Sequence, residues 1–365
     1  MKSPFMDEAL ALARKGSGRT SPNPAVGAVV VRDGEIVGRG FHTWAGLKHA
    51  EIVALEEAGE RACGAELCLT LEPCSHQGRT PPCVDAVVAA DVARVTVAMR
   101  DPNPLVSGEG IRRIEAAGIP VEIAAEYTSE AEQLNEAFVF SMRNGRPLVT
   151  LKSAVTLDGK IAAPEDNSGW ITSAEARAHV QQVRHLHDAI LTGIGTVLTD
   201  DPLLTDRTGF ERSRPLLRIV VDSTLRIPLD SRMVMSAAGD LLVATTSASS
   251  PERRRQLESR SVRVLIADGP GGRTDLRQVV NHLTKDEYRS LMIEAGSKVN
   301  WAALEGGVVD KIFFYYAPKI LGGMHSLPVV GGAGRMRRKD AILFHGTQLH
   351  QITKDEFAVE AWVVR

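Results

Sequence analysis

The chain has 365 residues, 44% hydrophobic and 24% charged, which excludes wholesale disorder and fibrous repeats and, at about 150 residues per domain, suggests two domains. Its 43 Lys and Arg against 45 Asp and Glu leave a net charge of −2, and aromatic residues make up 5%. That balance excludes a chain-wide basic phosphate binder and a platform for stacked bases, so no nucleic-acid partner is expected.

The first predicted element is a helix over Pro4–Arg14, where Phe5, Met6, Leu10 and Ala13 recur at helical spacing between Ser3 as N-cap and Gly16 as stop. Pro4, Asp7 and Glu8 stand where a signal peptide carries basic residues. The best apolar run, Ala25–Val31, ends at Arg32 and Asp33, well short of the roughly 20 residues a bilayer span needs. A cytoplasmic chain without membrane association is expected, and there four cysteines suit metal ligation better than a disulfide framework. Ala25–Val31 and Glu35–Phe41 form a hairpin across Arg32-Asp33-Gly34. Helix and strand patterns then alternate: helix His49–Arg61, strand Glu66–Leu71, helix Pro82–Ala90, strand Arg94–Ala98, helix Glu109–Ala117 and strand Pro120–Ile123. The pattern is that of an α/β sandwich with a mixed sheet.

A helix over Ser129–Met142 leads into Arg143-Asn144-Gly145-Arg146-Pro147, whose Gly, Asn and Pro punctuate the chain. The domain boundary falls there, dividing residues 1–144 from 145–365. Beyond it strands are predicted over Leu148–Val155, Ala189–Thr192, Leu217–Asp222, Leu241–Thr246, Val262–Ala267, Ser290–Glu294 and Lys311–Ala317. They alternate with helices near Ala174–Leu186 and Asp275–Leu283, and Ser247–Arg255 is a surface turn entering a short helix. The second half is α/β as well.

His49-Ala50-Glu51, Glu72-Pro73-Cys74 and Cys83 form the first chemical constellation. One imidazole and two thiolates suit Zn²⁺ and leave a fourth tetrahedral position open for water, the arrangement of a catalytic site. Cys83 follows Pro81-Pro82 at a helix start, where the helix dipole favours a thiolate. Glu51 stands beside the metal without binding it, taking a proton from water and delivering it to a leaving amine. Against this stand three unrelated residues, or a closed structural site with His76 as fourth ligand. Cys63 and Cys68 read as buried small residues.

His-x-Glu followed by Pro-Cys is the signature of zinc-dependent nucleobase deaminases, and here eight residues instead of two lie between the two cysteines. The longer insert Ser75–Pro82, Pro22-Asn23-Pro24-Ala25-Val26-Gly27, Asp101-Pro102-Asn103-Pro104 and Gly108-Glu109-Gly110 resemble the deaminase half of the bifunctional deaminase/reductase family of riboflavin biosynthesis. The resemblance runs from about residue 5 to 140 and implies a cytidine-deaminase-like α/β/α sandwich. Asn23, restrained between two prolines, either aims its amide at a pyrimidine edge or makes a structural turn, and the resemblance favours substrate contact. His42 and His76 either touch ribose or base or lie on the surface. Arg79, in the inserted loop, either clamps a phosphate or is solvated.

The second half has no Gly-x-Gly-x-x-Gly. Gly193-Ile194-Gly195 and Glu294-Ala295-Gly296-Ser297 each follow a strand and open a helix, so phosphate approach and close packing explain these glycines equally well. Two such strand ends suggest one crevice. With Leu151-Lys152, Ser168-Gly169-Trp170, Asp200-Asp201-Pro202-Leu203-Leu204-Thr205 and Val221-Asp222-Ser223, residues 147 to 363 resemble the reductase half of the same family. That implies a dihydrofolate-reductase-like α/β domain with NADPH as cofactor. It implies that Ala154, Trp170, Thr196, Asp200, Ser223 and the stretch Gly296, Ser297, Lys298, Val299, Asn300, Trp301 and Ala302 line the NADPH site. Ser168, Arg184, Leu204, Arg207 and Glu294 would hold the sugar phosphate. Arg184 has a solvated helix face as its alternative, and Lys152 points either into the crevice, polarising the substrate carbonyl, or to solvent.

The expectation is a homo-oligomeric enzyme acting on a pyrimidine ribosyl phosphate. It would hydrolyse the 2-amino group of 2,5-diamino-6-ribosylamino-4(3H)-pyrimidinone 5′-phosphate and then reduce the ribosyl chain with NADPH. Two readings compete with it: a zinc deaminase whose second half binds nucleic acid, and a zinc-stabilised scaffold with four protein ligands.

Overall fold

The computed structural model describes residues 2–44, 48–75, 81–104, 106–165 and 168–365. The chain divides into two compact units, Met1–Gly145 with Glu211–Arg214, and Arg146–Phe210 with Pro215–Arg365.

The first unit contains α1 (Pro4–Arg14), β1 (Gly27–Arg32), β2 (Glu35–Phe41), α2 (Ala50–Ala58), β3 (Glu66–Leu69), α3 (Cys83–Ala89), β4 (Arg94–Val97), α4 (Glu109–Ala116), β5 (Val121–Ile123), α5 (Ala125–Leu134) and α6 (Glu136–Asn144). Its sheet runs β2-β1-β3-β4-β5, with β1 antiparallel to both neighbours and β3, β4 and β5 parallel. Side chains alternate along β1. Ala28 and Val30 enter a core with Ala54 and Leu55 of α2, Val84 and Val87 of α3 and Ile111 and Ile114 of α4. Val29 and Val31 meet Met6 and Leu10 of α1, Tyr127 of α5 and Val139 of α6 on the other face. Helices thus cover both faces of the sheet.

Glycines set how closely the helices approach. A Cβ on Gly38 would lie 2.1 Å from the Ala54 carbonyl oxygen, and one on Gly40 would lie 2.1 Å from that of Ala50, so α2 rests directly on the backbone of β2.

Two expectations need correction. The single helix over Ser129–Met142 is two helices, because Asn135 leaves helical geometry (φ −110°, ψ 27°). Its buried side chain accepts from Ala25 N at 2.8 Å and donates to Ala25 O at 2.9 Å, which a continuing helix would not allow. The helix expected over His49–Arg61 ends at Ala58, where Gly59 takes φ +56° and a 3₁₀ turn over Gly59–Ala62 follows. Cys68 is buried as expected, but Cys63 is exposed.

The second unit contains β6 (Leu148–Thr156), β7 (Lys160–Ala162), α7 (Ala174–His185), β8 (Ala189–Gly193), α8 (Ile194–Asp200), β9 (Leu217–Val221), α9 (Arg232–Met235), β10 (Leu241–Thr245), α10 (Pro251–Glu258), β11 (Val262–Ile266), α11 (Leu276–Lys285), β12 (Ser290–Ile293), α12 (Ser297–Glu305), β13 (Lys311–Ala317), β14 (Leu327–Pro328), β15 (Phe344–Gln351) and β16 (Phe357–Val363). The sheet order is β11-β10-β9-β8-β12-β6-β13-β16-β15, parallel from β11 to β13 and antiparallel thereafter. Val149, Leu151, Leu291 and Ile293 pack with Val279 and Leu283 of α11, whereas Ile190, Val220 and Met292 pack with Val197, Met233 and Leu257 opposite. Four strands were not expected from the sequence: β7 and β14, which pair with each other, and the C-terminal hairpin β15–β16.

Candidate functional site

His49 is the N-cap of α2, Cys83 is the first residue of α3, and Cys74 lies in the loop after β3. Their ligand atoms all lie within 4.8 Å of one another. His49 Nδ1 is 3.1 Å from Cys83 Sγ and 3.6 Å from Cys74 Sγ, and the Cys83 backbone N–H donates to Cys74 Sγ at 3.3 Å. The Cys83 thiol, with help from His49, holds Cys74 below the ordinary thiol range, while the hydrogen bond with Cys74 pushes Cys83 up. The hydrogen bond with Cys74 likewise raises His49. Two sulfurs and an imidazole converging on one point are a donor set that fits zinc.

Glu51, in the first turn of α2, is 4% exposed and not among the converging atoms. Burial raises its carboxyl above the usual range, and it hydrogen-bonds to Cys83.

His42 packs edge-on against His49 with ring centroids 5.1 Å apart, and burial keeps it below the ordinary imidazole range. Its Nε2 is 3.2 Å from Asn23 Nδ2. The structure therefore brings Asn23 and His42 to the same place as the three ligand atoms. His76 and Arg79 lie outside the described residues. Sequence reading missed Asn135, whose two bonds to Ala25 fix the turn carrying Asn23, and it gave no task to Glu72. That carboxylate is 4% exposed and accepts four backbone N–H groups, from Asp101, Gly108, Gly110 and Ile111.

In the second unit Glu294, directly after β12, accepts from Lys152 Nζ of the adjacent β6 at 2.9 Å and from Arg184 Nη2 of α7 at 2.8 Å. Both cations are buried, so neither the solvated helix face for Arg184 nor the solvent-facing Lys152 describes this fold. Burial pushes the Glu294 carboxyl up, and the two cations outweigh it and hold it at about 2. One face of α7 also grips the following loop. Arg184 Nη1 donates to Thr205 O at 2.7 Å, His185 Nδ1 lies 2.7 Å from Asp206 Oδ2, and Gln181 Oε1 accepts from Arg207 N at 3.0 Å. Arg207 is left exposed, next to a buried Leu204 at φ +51°.

The two glycine turns differ in role. A Cβ on Gly193 would come 2.7 Å from Val299 Cγ2, so this glycine serves close packing between the two strand ends. Gly195 and Gly296 face open space. At the start of α12, Ser297 Oγ and Asn300 Oδ1 are buried without a hydrogen-bond partner among the described residues. The open Gly296 at the start of α12, beside a buried hydroxyl and a buried carboxamide oxygen without partners among the described residues, fits a dinucleotide, which brings phosphates for the helix N–H groups and ribose hydroxyls for the carboxamide. Lys298 and Ala302 are exposed, Val299 is half-buried and Trp301 is buried. Thr196 on α8 and Ala154 on β6 are half-buried, and Asp200 and Ser168 are exposed. Ser223 Oγ accepts from Thr274 N at 3.0 Å. Trp170 is 69% exposed with the Arg177 guanidinium 4.7 Å above its ring.

Residues 147–353 match the RibD C-terminal domain, and residues 1–99 match the cytidine and deoxycytidylate deaminase zinc-binding region. The riboflavin biosynthesis protein RibD of Escherichia coli (strain K12) is 42% identical over 366 aligned positions, covering 96% of each chain. That of Bacillus amyloliquefaciens is 39% identical over 355, covering 97% of this chain and 95% of its own. Among solved structures, Acinetobacter baumannii RibD superimposes with a TM-score of 0.88 at 34% identity over 99% of this chain and 98% of its own. The diaminohydroxyphosphoribosylaminopyrimidine deaminase/5-amino-6-(5-phosphoribosylamino)uracil reductase of Thermotoga maritima gives 0.82 at 34% identity with the same coverage.

Proposed function

The chain belongs to the bifunctional deaminase/reductase family of riboflavin biosynthesis, and from that premise we propose how its residues share the two reactions. The enzyme hydrolyses the 2-amino group of 2,5-diamino-6-ribosylamino-4(3H)-pyrimidinone 5′-phosphate and reduces the ribosyl side chain to ribityl. Its folds are a cytidine-deaminase-like domain and a dihydrofolate-reductase-like domain, and its cofactors are zinc and NADPH. When bound, zinc activates water and the nicotinamide supplies hydride.

Residues 1–144 carry the deamination and 145–365 the reduction. His49 Nδ1 and the Cys74 and Cys83 sulfurs hold the metal. Glu51, buried beside Cys83, moves a proton from the attacking water to the departing amine. Asn23 orients the pyrimidine from its pinned turn, with His42 behind it, and His76 and Arg79 complete the grip on base and ribosyl phosphate. In the second half Ala154, Trp170, Thr196, Asp200, Ser223 and residues 296–302 hold NADPH. Ser168, Arg184, Leu204, Arg207 and Glu294 hold the sugar phosphate, and Lys152, anchored by Glu294, polarises the substrate at the ribosyl C1 that accepts hydride. The convergence of His49, Cys74 and Cys83 next to a buried glutamate carries this reading.

No helix among the described residues is long and apolar enough to cross a membrane, and the enzyme works in the cytoplasm as a homo-oligomer. The edge strand β15 supports self-association: its open backbone lies beside exposed Leu343, Phe344 and Leu349. Sedimentation of the chain as a monomer at micromolar concentration would reject that part.

The central test supplies the pyrimidine phosphate with and without NADPH and follows ammonia and NADPH separately. Ammonia should appear without NADPH, and NADPH should be consumed only when the pyrimidine phosphate is present. Ammonia release that requires NADPH would overturn the division of labour.

A further inference from the structure

Glu72 lies in the loop that carries Cys74, two residues before it, and both of its oxygens are fully used. Oε2 accepts from Asp101 N and Gly108 N, each at 3.0 Å, and Oε1 accepts from Gly110 N at 2.9 Å and Ile111 N at 3.3 Å. Gly110 and Ile111 lie in the first turn of α4, whose N-cap Gly108 has no side chain to satisfy them, so a distant carboxylate caps this helix. The joint is tight on its other side as well. A Cβ on Gly110 would lie 2.2 Å from the carbonyl oxygen of Pro73, the residue next to Cys74. The Glu72 backbone N–H is in turn fixed to Met99 O at 3.0 Å.

We propose that Glu72 is a positioning residue: it sets Cys74 for the metal and locks that sulfur to the loop that starts at Asp101. The proposal rests on His49, Cys74 and Cys83 being the ligands. Because each oxygen takes two N–H donors, the site accepts only a carboxylate. A glutamine in either orientation turns an NH₂ group against two N–H groups and opens the joint.

The test uses the zinc-loaded full chain and its cobalt-substituted form, comparing wild type, Glu72→Gln and Cys74→Ser. Zinc affinity, measured by competition with a chromophoric chelator, should fall about 10- to 100-fold in Glu72→Gln, as for other groups that orient metal ligands. At saturating cobalt the thiolate-to-metal charge-transfer and ligand-field bands should shift, a readout that lowered stability alone does not move. Wild-type affinity and bands in folded Glu72→Gln, beside zinc loss in Cys74→Ser, overturn the proposal alone. Full zinc retention in Cys74→Ser overturns the ligand set and the proposal together. If Glu72→Gln does not fold, Gly110→Ala is read in the same way: it presses on Pro73 from the other side, so shifted cobalt bands support the proposal and wild-type bands overturn it.

Discussion

Lys152 on β6 and Glu294, directly after the neighbouring parallel strand β12, meet with Nζ and Oε1 2.9 Å apart, and the lysine side chain is 7% exposed against 25% for the glutamate. With Arg184 on the second oxygen, one carboxylate is shared by two buried cations, and the trio leaves net positive charge at the strand ends. A phosphorylated sugar is the sort of ligand such a surplus favours.

Removing the shared carboxylate strands both cations. Glu294→Gln should destabilise the second unit by about 3 kcal/mol, at the low end of the cost of breaking a buried ion pair because a quarter of the side chain reaches solvent. Urea unfolding curves that coincide with wild type would refute this.

The same carboxylate gives stability a defined acid dependence. Its folded value of about 2 lies below the ordinary 4.5, so the unfolded chain takes up the proton first. The contribution is therefore complete above about pH 4.5 and disappears as pH falls towards 2. Between pH 5 and 2.5 wild type should lose more stability than Glu294→Gln. Parallel pH profiles for the two proteins would show that Glu294 is not the group responsible.

Glu51→Gln keeps size and hydrogen bonding but cannot carry the proton. Ammonia release should fall by roughly 10²–10⁴-fold with full zinc content and unchanged NADPH-dependent reduction of the deaminated substrate. Zinc loss in this variant, measured by metal analysis, would place Glu51 among the ligands.

Arg207 is exposed while its backbone is tied to Gln181, which suits a side chain awaiting an anion. Arg207→Ala should raise KM for the ribosyl phosphate roughly ten- to a hundredfold, the worth of a charge-assisted hydrogen bond, and leave NADPH affinity near wild type. A dephosphorylated substrate should be handled alike by both proteins. Weakened NADPH binding alone would instead give the arginine to the cofactor.

The zinc-binding pattern was legible because its ligands carry their chemistry in their identities: a histidine at a helix start, two cysteines and a glutamate two residues from the histidine. The buried strands β1 and β8 were legible from continuous apolar runs. Asn135 was not, since nothing local distinguishes an asparagine that breaks a helix from one riding on its surface. What decides is Ala25, 110 residues away. Glu72 was overlooked for a related reason, as its partners are backbone groups that any sequence offers. The strand β15 escaped because seven of its eight residues are exposed, which leaves no alternation of burial to read.

The seat of α2 on Gly38 and Gly40 has a consequence for how this enzyme can diverge. His49 and Glu51 sit at the end of α2 nearest Gly40, so any side chain admitted there lifts the helix and tilts ligand and proton carrier together. The strand thus acts as a gauge that calibrates the height of the reactive groups. A side chain added at either glycine is felt at the reactive groups, whereas the exposed Glu56 and Glu57 on the outer face of the same helix, paired with Lys48 Nζ and Arg39 N, can change without lifting it.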